Sequence, residues 1–130
     1  MAYRWIPKAA VKAMHGELLA EHGGLSGSPN EAALDSTLAR PQQRFVYGDP
    51  EPTIFELAAC YGFGFAKNHV FPDGNKRTAL VTLTVFLRMN GYMLTATEEE
   101  AVSALLQVAS SEMDETTLSV WVEKHSSPLS

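Results

Sequence analysis

The chain has 130 residues, 45% of them apolar, which suits one domain with one core and argues against disorder. Its formal charge is −5, from 10 basic and 15 acidic residues. With no basic excess to neutralise many phosphates, the charge argues against a general nucleic-acid or anionic-membrane binder, and leaves room for one small anion site.

In chain order, the sequence punctuates itself into helices. Pro7 suits a first helical turn, and Val11, Met14 and Leu18 follow at spacings of three and four. Gly23-Gly24 ends that helix. Ser28-Pro29-Asn30-Glu31 reads as a capping box with proline at the first helical position. The helix behind it carries Ala32, Ala33, Leu34, Thr37 and Leu38, and is expected to stop before Pro41. Residues 41 to 52 hold three prolines and a Gly-Asp, so they read as a loop around Phe45, Val46 and Tyr47.

Thr53 to Glu56 is a second capping box, opening an apolar helix through Ile54, Leu57, Ala58, Tyr61 and Phe65. Gly62 and Gly64 either weaken it or admit a close neighbour. Cys60, the single cysteine, sits in that run as a buried thiol, and rules out an internal disulfide or a multi-cysteine metal centre. From Asn75 to Asn90, Ala79, Leu80, Leu83, Phe86 and Leu87 line one side of the clearest helix, with Gly91 as its stop. Tyr92 to Thr95 is the one β-like stretch. Thr97 to Glu100 is a third capping box, before Ala101, Val102, Leu105, Leu106 and Ala109. Asp114 caps a last helix with Leu118, Trp121 and Val122, and the tail from Ser126 is expected to fray. The fold class is all-α, with about six helices in a single domain over residues 1–130. No apolar run reaches the ~18 residues of a membrane span, and Met1 to Lys8 lacks the apolar core of a signal peptide. The expected location is the cytoplasm.

Polar chemistry concentrates in "NHVFPDGNKRTAL", Asn68 to Leu80. A helix start favours acidic side chains, because its free N–H groups and macrodipole are positive. This one carries Lys76 and Arg77. The arrangement makes sense if an anion occupies the turn, with Gly74 admitting close approach, and phosphate fits best. Asp73 at the mouth of the turn is either a magnesium ligand beside a polyphosphate or a helix cap, and Asn75 could cap equally well. His69 is either a general base or a helix-end residue favouring the dipole. Phe71 is an apolar anchor and Pro72 stiffens the loop. His15 falls near an apolar side and reads as a hydrogen-bonded packing residue. His125 lies in the fraying end, and nothing at ligand spacing suggests zinc.

His69, Phe71, Asp73, Gly74, Asn75 and Arg77 match the signature of the Fic/Doc family: His, any, Phe, any, Asp or Glu, Gly, Asn, any, Arg. With "HGELLAEHGGLSG", Thr37-Leu38-Ala39-Arg40-Pro41 and "FLRMNGY", the resemblance covers roughly residues 11 to 95 and is closest to the Doc (death-on-curing) branch. It implies a compact all-α bundle that transfers a phosphate, or part of a nucleotide, from ATP to a protein hydroxyl. By resemblance, His69 is the base, Asp73 the Mg2+ ligand, and Gly74, Asn75, Lys76 and Arg77 the phosphate-binding turn. Typical Fic adenylyltransferases have Gly where Lys76 stands and a second Arg where Leu80 stands. Doc toxins share the departures seen here, and are held to bind the nucleotide reversed and to phosphorylate elongation factor Tu. The resemblance thus implies a toxin with kinase activity, blocking translation. Nucleotidyl transfer and a catalytically silent binding module are the alternatives. No Glu is followed by Gly or Asn, so the family's inhibitory segment is missing and a Phd-like antitoxin is the implied restraint. Arg44, Phe45, Val46 and Tyr47 are the candidate docking residues for the target, on what is otherwise a plain connection.

Overall fold

The computed structural model describes residues 2–129. In chain order the elements are α1 (Lys8–His22), α2 (Glu31–Tyr47), α3 (Ile54–Lys67), α4 (Asn75–Met89), β1 (Tyr92–Leu94), α5 (Glu98–Ala109), α6 (Glu115–Lys124) and β2 (Ser126–Pro128). The described residues thus form six helices and one small ribbon, a mostly helical fold as the sequence implied. α3 is the axis. Ten of its 14 residues are buried, among them Leu57, Ala58, Tyr61 and Phe65. A helix that is apolar all round belongs inside, and α2, α4, α5 and α6 pack around it.

The two glycines of α3 mark close approaches. A Cβ at Gly62 would lie 2.8 Å from Leu83 Cδ1, and one at Gly64 2.8 Å from Thr37 Cγ2. Thr37 is stiff at χ1 and is tied down on both sides: its hydroxyl donates to the Ala33 carbonyl at 2.6 Å and accepts from Asn68 Nδ2 at 2.8 Å.

The end signals mostly hold. Two of the three expected capping boxes, Thr53 with Glu56 and Thr97 with Glu100, are formed, and Asp114 accepts from the Thr117 N–H at 2.8 Å. At α2 the box does not form on Ser28. Asn30 is the cap, accepting from the Ala33 N–H at 3.1 Å. The reason is tertiary: the Asn30 N–H donates to the Val70 carbonyl at 2.7 Å, which holds Asn30 extended and sets the helix start there.

A larger correction concerns Pro41. α2 runs straight through it to Tyr47, so residues 41 to 47 are helix and not loop. A proline inside a helix forfeits a hydrogen bond and clashes with the preceding turn, at a cost of about 3 kcal/mol. Contacts on both sides of Pro41 offset that cost. Arg40 and Arg44 both reach Glu115 of α6, at 2.6 and 2.9 Å. Phe45 packs edge-on against Tyr3 and Trp5, with centroids 5.4 and 5.7 Å away.

The tail is the third correction. Residues 126 to 128 pair antiparallel with β1, in the register Tyr92 with Pro128 and Leu94 with Ser126. The Thr95 N–H donates to the His125 carbonyl at 2.6 Å, and the Leu129 N–H to the Gly91 carbonyl at 2.9 Å. An isolated strand with open edges would be unstable, and the tail supplies its partner. Ser130 lies outside the described residues.

The glycine contacts give a testable contrast. Gly64→Ala should destabilise the fold by about 1–3 kcal/mol in urea unfolding, because Thr37 cannot yield. Gly62→Ala should cost less, because the atom it meets ends a flexible leucine and alanine is the better helix former.

Candidate active site

The segment between α3 and α4 reverses the chain in a few residues. Asn68 ends α3, its N–H donating to the Gly64 carbonyl at 2.9 Å. His69 follows with φ 49°, in the left-handed region that histidine visits more readily than most residues. Its imidazole is exposed. Val70 and Phe71 then turn inward and are 1% and 3% exposed. The Asn75 side chain reaches back across the loop. Its Oδ1 accepts from the Phe71 N–H at 2.9 Å, and its Nδ2 donates to the Phe71 carbonyl at 2.8 Å. Two buried backbone groups that the turn would otherwise leave unpaired are satisfied by one amide.

Asp73 is held from two directions. Oδ1 accepts from the Gly74 N–H at 2.8 Å and Oδ2 from the Leu25 N–H at 3.1 Å. Those two bonds are the main reason its carboxyl is held below the usual range, with a smaller contribution from Lys76. Gly24 completes the cradle. It has φ 123°, and a Cβ there would stand 2.8 Å from Asp73 Oδ2. On the other side of the same residue, His15 of α1 places Nε2 2.8 Å from the Asp73 carbonyl. The His15 ring also lies flat on Phe71, with centroids 3.8 Å apart and planes 9° apart.

α4 begins with Gly74 as its cap residue, at φ 78° and ψ 16°, with no capping side chain and no acid in the first turn. Neither Asp73 nor Asn75 caps it. Asp73 is taken up by Gly74 and Leu25, and Asn75 by Phe71. Helix geometry leaves the N–H groups of Asn75, Lys76 and Arg77 without carbonyl partners inside the helix. The first turn of α4 therefore carries no acid of its own, and two cations sit on it. Lys76 is exposed and forms no ion pair among the described residues. Arg77 meets Glu98 of α5 at 3.4 Å, both side chains well exposed. Beside this turn, His69 lines an open groove of about 550 Å³ with Ser28, Pro29, Asn30, Val70, Phe71 and Pro72.

A family model described as the Fic/DOC family matches residues 5–87. The chain is 35% identical over 88 residues to Protein kinase doc of Escherichia phage P1, covering 68% of this chain and 69% of that protein.

The chain belongs to the Fic/Doc family.

A second relative, Toxin Doc of Mycolicibacterium smegmatis, is 45% identical over 64 residues. That match covers 48% of each chain, so it spans about half of that relative. Both relatives carry the Doc name, and the chain groups with that branch of the Fic/Doc family.

The Fic/Doc signature thus falls on one continuous reversal, which gathers His69, Phe71, Asp73, Gly74, Asn75, Lys76 and Arg77. Arg44, Phe45, Val46 and Tyr47 stand apart from it. They form the last turn of α2, whose cap residue Asn30 meets Val70 at the other end. At ~1.5 Å per residue they lie roughly 20–25 Å along the helix from Asn30. Arg44 is engaged by Glu115 and Glu56 and Phe45 packs inward, which leaves Val46 and Tyr47 exposed, at 67% and 82%. Gly24 and Leu25 were missed as site residues. Their signal was a second glycine where one suffices to stop a helix.

Cys60 is 1% exposed, and burial pushes its thiol up to about 11, so it is not a nucleophile near neutral pH. Asp73 should titrate below an ordinary aspartate when followed by carboxyl carbon NMR. Because its folded value is depressed, its contribution to stability is complete above the unfolded value, near ~3.9, and is lost as pH falls through the folded one. Gly24→Ala should displace the carboxylate and return its titration towards the ordinary range.

Proposed function

We propose that this protein is the toxin of a toxin–antitoxin module and acts as an ATP-dependent protein kinase on a translation factor. One observation carries the proposal: the uncapped N-terminus of α4, with Lys76 and Arg77 on its first turn and an exposed His69 beside it. An anion site and a base next to each other are what transfer from a polyphosphate requires. The names of the two relatives, a protein kinase and a toxin, agree with it. Elongation factor Tu is the expected target, a threonine hydroxyl the expected acceptor, and a Phd-like antitoxin the expected restraint, all in the cytoplasm.

The target segment enters the groove along Pro29, Phe71 and Pro72, which brings its hydroxyl to His69. His69 takes the hydroxyl proton as the oxygen bonds to the γ-phosphorus. The bond from that phosphorus to the bridging oxygen breaks, and ADP leaves. Charge that spreads over the transferred group is met by the N–H groups of Asn75, Lys76 and Arg77 and by the two cationic side chains. Asn75 takes part through its backbone, because its side chain is occupied with Phe71. Arg77 has to leave Glu98. An exposed pair is worth at most about 1 kcal/mol, so a phosphate competes successfully.

Asp73 fits a magnesium ligand. It is exposed and ionised, and each oxygen spends only one lone pair on an N–H. Magnesium needs just one or two protein carboxylates alongside substrate phosphates, and bound there it would neutralise phosphate charge. The γ-phosphorus is preferred to the α-phosphorus because Leu80, half-buried against the core, offers no second cation one turn along α4.

Purified protein with magnesium, bacterial lysate and ATP labelled at either the γ or the α phosphorus tests this reading. Label from γ alone is expected. Label from α would establish nucleotidyl transfer instead, and label from neither, with His69→Ala behaving identically, would leave a binding module. His69→Ala should lower transfer by ~10²–10⁴-fold while nucleotide binding persists. Lys76→Glu should abolish nucleotide binding and leave helical circular dichroism unchanged. Survival of binding in that variant would overturn the anion-site argument.

A further inference from the structure

We infer that His15 is a positioning residue for Asp73, acting from α1 through the peptide group behind the carboxylate. The inference rests on the reading of Asp73 as a metal ligand, but its geometry stands apart from that reading. His15 is 5% exposed, and a buried imidazole has to be paired. Its partner is the Asp73 carbonyl, 58 residues away in the chain and 2.8 Å from Nε2. A carbonyl only accepts, so Nε2 carries the proton and donates it.

Packing alone does not account for a histidine here. α1 buries just two side chains, Val11 and His15. A leucine or phenylalanine would fill the second position without desolvating two ring nitrogens. The imidazole instead does two things an apolar side chain cannot combine. Its face lies on Phe71, and its edge grips the peptide two residues further on. The same arm of the chain also reaches the carboxylate, because Leu25, just beyond the end of α1, donates its N–H to Oδ2. Asp73 is therefore gripped at its carbonyl by His15 and at its carboxylate by Leu25, and Gly74 takes the other oxygen. With the peptide plane and one carboxylate oxygen both fixed by α1 and its extension, the side chain has one direction left. Groups that orient a metal ligand from behind typically change metal affinity by ~10–100-fold when removed.

The test uses the full chain. His15→Phe keeps the stacking and the volume but loses the donor, while His15→Gln keeps a donor. The first readout is hydrogen exchange at the Leu25 amide, measured without metal or nucleotide. Exchange ~10-fold faster in His15→Phe, with β1 amides unchanged and His15→Gln close to wild type, is expected. Equal exchange at Leu25 in His15→Phe and wild type overturns the proposal. The second readout is binding of Mn2+ with ATP, followed by water-proton relaxation. A ~10–100-fold loss in His15→Phe, largely restored in His15→Gln, is expected; unchanged affinity overturns the positioning role. If the Leu25 amide responds while wild type binds no Mn2+ with ATP, the grip on Asp73 stands and the metal reading of that residue fails. Should His15→Phe not fold, nitrogen NMR of wild-type His15 decides. A protonated Nε2 supports the proposal, and a bare Nε2 overturns it.

Discussion

One side-chain amide holds the reversal between α3 and α4. Asn75 closes both backbone groups of Phe71, and Phe71 in turn is sunk into the core. Without that bracket the loop would have to bury an unpaired N–H and C=O, a penalty of about 1–3 kcal/mol for each. Because Asn75 is spent in this way, it cannot cap α4, and the first N–H groups of that helix stay open. The structural fastening and the uncapped start of α4 are two results of the same side-chain placement.

That placement runs against the helix dipole. Cations in a first turn lose ~0.3–1 kcal/mol each where acids would gain it. Lys76 has no carboxylate within ion-pair reach among the described residues, and Arg77 has only the exposed Glu98. The stability of α4 comes from elsewhere, from Ala79, Leu83, Phe86 and Leu87 buried against α3 and its neighbours. Local strain at the mouth of the helix is carried by the core behind it, the usual division of labour between a site and its scaffold.

The helices and the signature were legible because both are short-range. Capping boxes act over four residues, the α4 stripe repeats every three or four, and the motif from His69 to Arg77 is contiguous. What stayed hidden depended on long-range contacts. Pro41 reads as a helix stop until Glu115 is brought up against Arg40 and Arg44. Ser126 reads as a frayed tail until Tyr92 to Leu94 offers it an edge. His15 was legible as a hydrogen-bonded packing residue, but its partner lies 58 residues away. Gly24 reads as punctuation until Asp73 Oδ2 is placed where its side chain would have been.

The isolation of Cys60 has a practical consequence. The thiol is walled in by α3's neighbours, its sulfur accepts from Arg40 Nη1 at 3.3 Å, and it is barely ionised at neutral pH. Thiol reagents act on the accessible thiolate, so the native fold is silent towards them. A cysteine introduced at an exposed position such as Tyr47 or Pro72 can therefore carry a single fluorescent or spin label with the native residue left in place.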